Sequence, residues 1–243
     1  MSGSLSLTPR RIAPQTGPIA WSAAEVPASE RMIPLGAEHA AELSAPGLPT
    51  PKMDALAAEL RGRLDHGRGF ALLRGLPVGE DQEAPLRAIA ERLGAVVPAA
   101  PASGSRHAEA CDALLLRVAE ASQVTLVAAA AVHNAILRAD RAALSALYDP
   151  AEGAMTVFSA EGGVFGARWD DEALPAERAP ALAAALEDPT LPLELDLRAG
   201  DILALNPFLV WASRLPRAMA IAVRTTPSQL DAAAFAPLRG AAG

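Results

Sequence analysis

The sequence predicts a mixed α+β fold in which a β-sandwich carries flanking helices. Two observations point there. Stretches with a helical apolar period and stretches with two-residue alternation both occur. They do not follow one another in the strand–helix alternation of a doubly wound sheet, and the strand candidates are short and bounded by turn residues.

Residues 1–51 carry Thr8-Pro9, Thr16-Gly17-Pro18, Ala45-Pro46-Gly47 and Pro49-Thr50-Pro51 with no sustained period. That punctuation predicts an irregular arm laid over a domain of residues 52–243, with Trp21 and Met32-Ile33 able to dock it. Met53, Leu56, Ala57, Leu60 and Leu64 share one helical face, and Gly67 stops that helix. Phe70 to Arg74, between Gly69 and Gly75, reads as a buried strand. A second helix spans Glu83 to Leu93 and ends at Gly94. A third starts at Val132-His133-Asn134 and runs towards Tyr148, where Pro150 ends it. Residues 155–159 and 164–169, around Glu161-Gly162-Gly163, form a hairpin signal. Pro175 to Glu187 suits a helix. Leu193, Leu195 and Leu197 alternate with charged residues as a half-buried strand, and Ala199-Gly200-Asp201 turns into a strand at Ile202 to Leu205.

Composition narrows the function classes. The chain is long enough for one sizeable core, 51% hydrophobic but only 4% aromatic, so Leu, Val, Ile and Ala must build that core. With 21 basic against 28 acidic residues and a formal charge of −7, no basic cluster suits nucleic acid or an anionic membrane. Cys111 is the one cysteine, which excludes an internal disulfide and a cysteine-built zinc site. No apolar run reaches a membrane span and no secretory pattern opens the chain, so a cytoplasmic location is expected.

Two segments carry the chemistry: Arg106-His107-Ala-Glu109-Ala-Cys111-Asp112, and Arg198-Ala-Gly-Asp-Ile-Leu-Ala-Leu-Asn206 running on to Trp211-Ala212-Ser213-Arg214. With GFALLRGLPV, AVHNAILR and ALYDP in that order, they resemble the TauD/clavaminate-synthase-like branch of the Fe(II)/2-oxoglutarate oxygenases across residues 53–226. The resemblance implies a double-stranded β-helix, or jelly roll, and an iron site made by a His-x-Asp/Glu pair and a distant histidine. His107 and Glu109 match the pair. The distant histidine falls at Ala212, which has no donor atom. The resemblance also implies a chain shortened between Asp112 and His133 and after Arg214.

His107 and Glu109, two residues apart, project to one side of an extended segment. They can share a metal, act as a base and its orienting partner, or remain as unused groups on a pocket wall. Metal ligation ranks last, because two protein ligands hold iron weakly. His133 reads as a structural residue at a helix start, and His39 and His66 as surface residues. Asn206 and Ser213 are weak iron donors. Asp112 is a candidate second acid, and Cys111 a small packing residue. Arg224 or Arg217 matches by spacing the arginine that grips 2-oxoglutarate in the family, and Arg214 the arginine after its His-Ser; any of them could instead hold an anionic substrate or lie on the surface. Trp211 fills space beside the lost ligand or stacks on a substrate.

The expected function is therefore a repurposed, metal-independent member without a cofactor. It acts on a small amino-acid-like molecule by elimination or by ring closure with loss of an anionic leaving group, using His107, Glu109 and Asp112 as catalytic groups. Asn206, Trp211, Arg214, Arg217 and Arg224 are the substrate-binding candidates. Two alternatives stand beside it: an oxygenase with an unorthodox iron site, and a non-catalytic subunit completing a partner enzyme.

Overall fold

A computed structural model describes residues 12–44, 50–77, 81–98, 104–149 and 156–240. Its strands are β1 (Met32–Pro34), β2 (Phe70–Arg74), β3 (Ala95–Val97), β4 (Ala113–Val118), β5 (Ser122–Ala128) and β6 (Phe158–Ser159). They continue as β7 (Gly166–Ala167), β8 (Leu193–Leu197), β9 (Ile202–Leu205), β10 (Val210–Ala212) and β11 (Ala218–Arg224). The helices are α1 (Ala28–Arg31), α2 (Ala37–Leu43), α3 (Pro51–Arg61), α4 (Glu83–Leu93), α5 (Ala129–Ala139), α6 (Arg141–Ala146) and α7 (Pro180–Leu186).

The larger sheet has the order β1-β2-β9-β4-β11-β3, the smaller β10-β5-β8, and β6 pairs with β7. All pairings are antiparallel except β1 with β2. Strand periodicity sorts the large sheet's side chains into two cores. Leu72, Leu114, Leu116, Leu203 and Leu205 share one core with Val124, Leu126, Leu193, Leu195 and Val210 of the small sheet, so the two sheets cover the same core. On the opposite face Ala71, Leu73, Ala113, Leu115, Ile202 and Ala204 meet Met53, Leu56 and Leu60 of α3 and Leu86, Ile89 and Leu93 of α4. Covered on both faces, β4 is buried at every residue and shows no alternation: it is apolar except for buried Arg117, whose guanidinium donates to the Gln82 and Pro77 carbonyls. The α+β sheet core predicted from sequence is present.

Two sequence segments acquire structural roles. Arg74 at the end of β2 donates through Nε (3.0 Å) and Nη2 (2.6 Å) to Oδ2 of buried Asp201, whose carboxylate also accepts the Arg198 amide. GFALLRGLPV and LRAGDILALN are thus joined by a charge-assisted fork across β2 and β9. Gly75 has φ 121°, and a Cβ there would collide with the Leu35 carbonyl oxygen, so the glycine lets the chain leave β2 beside β1.

The N-terminal segment departs from the expected irregular arm. Residues 12–44 contain α1, α2 and β1, which extends the large sheet. Trp21 is fully buried against Phe70 and donates Nε1–H to the Arg68 carbonyl (2.9 Å). Ile12, Trp21 and Val26 belong to the sandwich core and Ile33 and Leu35 to the helix-covered one, so the segment is woven into both. Thr8-Pro9, Ala45-Pro46-Gly47, Pro150 and Met155 lie outside the described residues. The third helix begins at Ala129 rather than Val132, because β5 runs straight into it through Ala128 without a side-chain cap. It breaks at Asp140, whose carboxylate caps α6 by accepting the Ala142 and Ala143 amides.

Candidate functional site

The segment before β4 lies against the end of β10. The His107 amide donates to the Ala212 carbonyl (2.9 Å), Arg106 bridges Ser213, and the Arg214 amide donates to Ser105 (2.9 Å). The two segments singled out in the sequence are therefore in contact. Ala212, wholly buried, stands beside His107.

The imidazole of His107 is spent on both sides. Nε2 accepts the Leu215 amide (3.1 Å), so it carries no proton, and Nδ1–H donates to Glu109 Oε1 (2.9 Å). The pair is a hydrogen bond of a neutral imidazole in a fixed tautomer rather than an ion pair. Both side chains are buried, and Glu109 Oε2 has no partner.

Cationic and aromatic groups surround the pair. Arg168 follows β7 and donates from Nε (3.0 Å) and Nη2 (2.7 Å) to the Ala108 carbonyl, between the two residues of the pair. Burial pulls its guanidinium below the usual arginine range, while nearby Asp170 and Glu109 work the other way. Arg106 lies over the Trp169 ring, 5.3 Å from its centroid, and Trp169 packs on Trp211 with centroids 5.8 Å apart. Burial lowers Arg106 too, with Asp171 opposing. Arg106 Nε and Trp211 Nε1 are buried without partners. His107, Glu109, Asp112 and Trp211 line none of the five principal cavities among the described residues.

Several candidates have other employment. Asp112, expected as a second acid, accepts the Thr225 amide on Oδ2 (2.9 Å) and the Gln229 amide on Oδ1 (2.8 Å), tying the C-terminal segment to β4. Asn206 is buried, accepting the Phe208 amide (3.0 Å) and donating to the Leu64 carbonyl (3.3 Å), which shapes the turn into β10. Arg214 donates to the Gly104 carbonyl (2.8 Å). Arg217, 77% exposed, pairs with Glu120, and Arg224 pairs with Asp231. None of these three joins His107 and Glu109. Trp211 is core, packed on Phe158 and Trp169. Cys111 is a buried packing residue, its thiol pushed up first by burial and then by Glu109 and Asp112. Ser213 Oγ accepts the Thr125 amide. Sequence reasoning missed Arg168 and the Leu215 amide. The first sits on the return stroke of the predicted hairpin, but a backbone amide carries no sequence signal.

No protein-family model and no curated protein matches the chain. Solved structures do. A non-haem iron oxygenase, OrfP, in complex with iron superposes with a TM-score of 0.54 at 15% identity over 80% of this chain and 93% of that one. Asparagine oxygenase superposes at 0.55 with 14% identity, over 81% and 93%. OrfP with iron, succinate and (3R,4R)-dihydroxy-L-Arg gives 0.51 at 15% identity, over 80% and 94%. The fold is that of non-haem iron oxygenases.

The iron of that fold does not suit the residues present. A metal-bound histidine gives one nitrogen to the metal and donates its other N–H to a carboxylate or carbonyl. Here the first lone pair is taken by Leu215, Glu109 faces the imidazole itself, and Ala212 offers no donor. Among the described residues no group of three or more His, Cys, Asp or Glu could hold a metal ion. Nor is any described helix long and apolar enough to cross a membrane.

Proposed function

We propose that this chain is a metal-independent member of the oxygenase fold that handles a small amino-acid-like molecule. One observation carries the proposal: the His107 nitrogen available to a metal instead accepts the Leu215 amide. OrfP and asparagine oxygenase, whose names and bound molecules point to arginine derivatives and asparagine, support the substrate class. In this reading His107 and Glu109 form a proton-transfer pair: Nδ1–H of His107 orients the carboxylate, and Glu109 Oε2, which has no partner, takes up a substrate proton. Arg106 and Arg168, beside the pair, would steady an anionic leaving group in an elimination or ring closure.

A second reading has its own support. The pair is buried, and Asp112, Asn206, Arg217 and Arg224 are engaged elsewhere. A chain so arranged suits a subunit that completes a partner enzyme.

Anaerobic titration with Fe(II), followed by gel filtration and elemental analysis, tests the common premise. The expected result is no retained stoichiometric iron. One tightly held iron per chain overturns metal independence. Turnover by the purified chain alone against turnover only with a co-purifying protein separates the two readings.

A further inference from the structure

Arg106 and Trp211 share one face of β10 and its continuation. Arg106 bridges Ser213 in antiparallel register, and Trp211 stands two residues before Ser213. The two are therefore diagonal cross-strand neighbours, a spacing that long and aromatic side chains can close. The Trp169 ring meets both, with the Arg106 guanidinium 5.3 Å and the Trp211 ring 5.8 Å from its centroid.

Both carry donors that the described residues do not use. A guanidinium and an indole N–H give hydrogen bonds and accept none. The other two indoles have acceptors, Trp21 the Arg68 carbonyl (2.9 Å) and Trp169 the Leu174 carbonyl (2.9 Å). Trp211 is 1% exposed and its Nε1 has none. Arg106 makes no hydrogen bond or ion pair with a described residue; its Nε is sealed from solvent, while its Nη atoms are not. Arg74, Arg168 and Arg214, part-buried like it, each donate to a carboxylate or carbonyl. Asp171 acts on Arg106 only from a distance, its oxygens accepting the Ser105 amide (3.0 and 3.1 Å). A buried donor without an acceptor is costly, and a charged one more so.

We infer that Arg106 and Trp211 form a subsite for a small, singly charged carboxylate. The edge of a guanidinium offers Nε and one Nη in the fork that matches a carboxylate, and the indole N–H supplies a third donor. The Trp169 ring holds the guanidinium flat, and the open Nη side gives the anion its way in. The Asp171 charge nearby disfavours a dianion. The inference deepens the proposed function by naming the anion that Arg106 takes. Only its part in turnover rests on that reading, since binding is measured without a reaction.

The chain has 3 tryptophans, so ¹⁵N-labelled protein gives one indole N–H resonance for each, and Trp211→Phe assigns the one that matters. The probes are acetate, its neutral counterpart acetamide, and sulfate, at constant ionic strength. A saturable downfield shift of the Trp211 resonance is expected with acetate, binding about tenfold weaker with acetamide, and no saturation with sulfate, while Trp21 stays fixed. Arg106→Met keeps an apolar stem on Trp169 and removes every donor; it should weaken acetate by about tenfold or more with the Trp21 resonance in place. No saturable acetate shift, equal binding of acetamide, tighter binding of sulfate, or unchanged acetate affinity in Arg106→Met would each overturn the inference. Iron content and turnover are separate measurements, so the subsite and the proposed function fail separately.

Discussion

Replacing His107 by alanine tests whether its imidazole has become part of the core. In an emptied metal site, removing a ligand relieves a cavity of a polar group and costs little. Here the imidazole holds the Leu215 amide at 3.1 Å and Glu109 Oε1 at 2.9 Å, all within buried surroundings. His107→Ala leaves a buried amide without an acceptor, a loss of about 1–3 kcal/mol. It also leaves a buried carboxylate oxygen without its donor, again about 1–3 kcal/mol. The two losses share one side chain and do not add in full, so a total of about 2–4 kcal/mol is expected, lowering the melting midpoint by roughly 10 °C. Urea unfolding followed by tryptophan fluorescence reads it directly. His107→Gln, whose amide oxygen can still accept from Leu215, should lose about half as much. A loss below about 1 kcal/mol for His107→Ala would refute the hydrogen-bonded geometry and return the residue to an open pocket wall.

Three further outcomes are expected. Ala212→His, which completes the ligand pattern on paper, should bind no more Fe(II) than the natural chain by elemental analysis, because Nε2 of His107 stays on Leu215; overpacking the buried site should cost about 1–3 kcal/mol in chemical denaturation. Asp112→Asn leaves one acceptor oxygen for two amides, so about 1–3 kcal/mol should be lost, with faster proteolysis around Thr225 to Gln229. His133 is held below its unfolded value by burial, so the unfolded chain binds the proton first as pH falls. Its stabilising contribution is complete above about pH 6.5 and is lost below it; melting midpoints measured from about pH 7.5 to 5.5 should fall more steeply for the natural chain than for His133→Gln.

The sequence discloses elements whose patterns are local. Helix α4 matches its predicted span, and β8 shows the alternation that Leu193, Leu195 and Leu197 announce. It conceals β4, because a strand covered on both faces loses its alternation, and β1, because three residues in a Pro- and Gly-punctuated segment carry no period. The contact between His107 and Ala212 was legible only through the family resemblance, which puts both positions at one site. What became of the pair was not. The Leu215 amide is contributed by the backbone, and the capture of Asp112 by two amides depends on how the C-terminal segment folds back. Arg74 and Asp201 show the converse: residues of the resembling segments turn out to brace the sheet rather than serve the site.

The strand order imposes a schedule on biosynthesis. Among the described strands, only β1–β2 and β6–β7 join partners that both precede Leu193. Every other pairing needs β8, β9, β10 or β11, so β4 and β5 emerge from the ribosome long before anything can zip to them. Such distant pairings slow folding and leave apolar edges exposed in the interim. A nascent chain paused before Leu193 therefore carries two sheets without their closing strands, and the apolar faces of β4 and β5 have no cover until β8 to β11 follow.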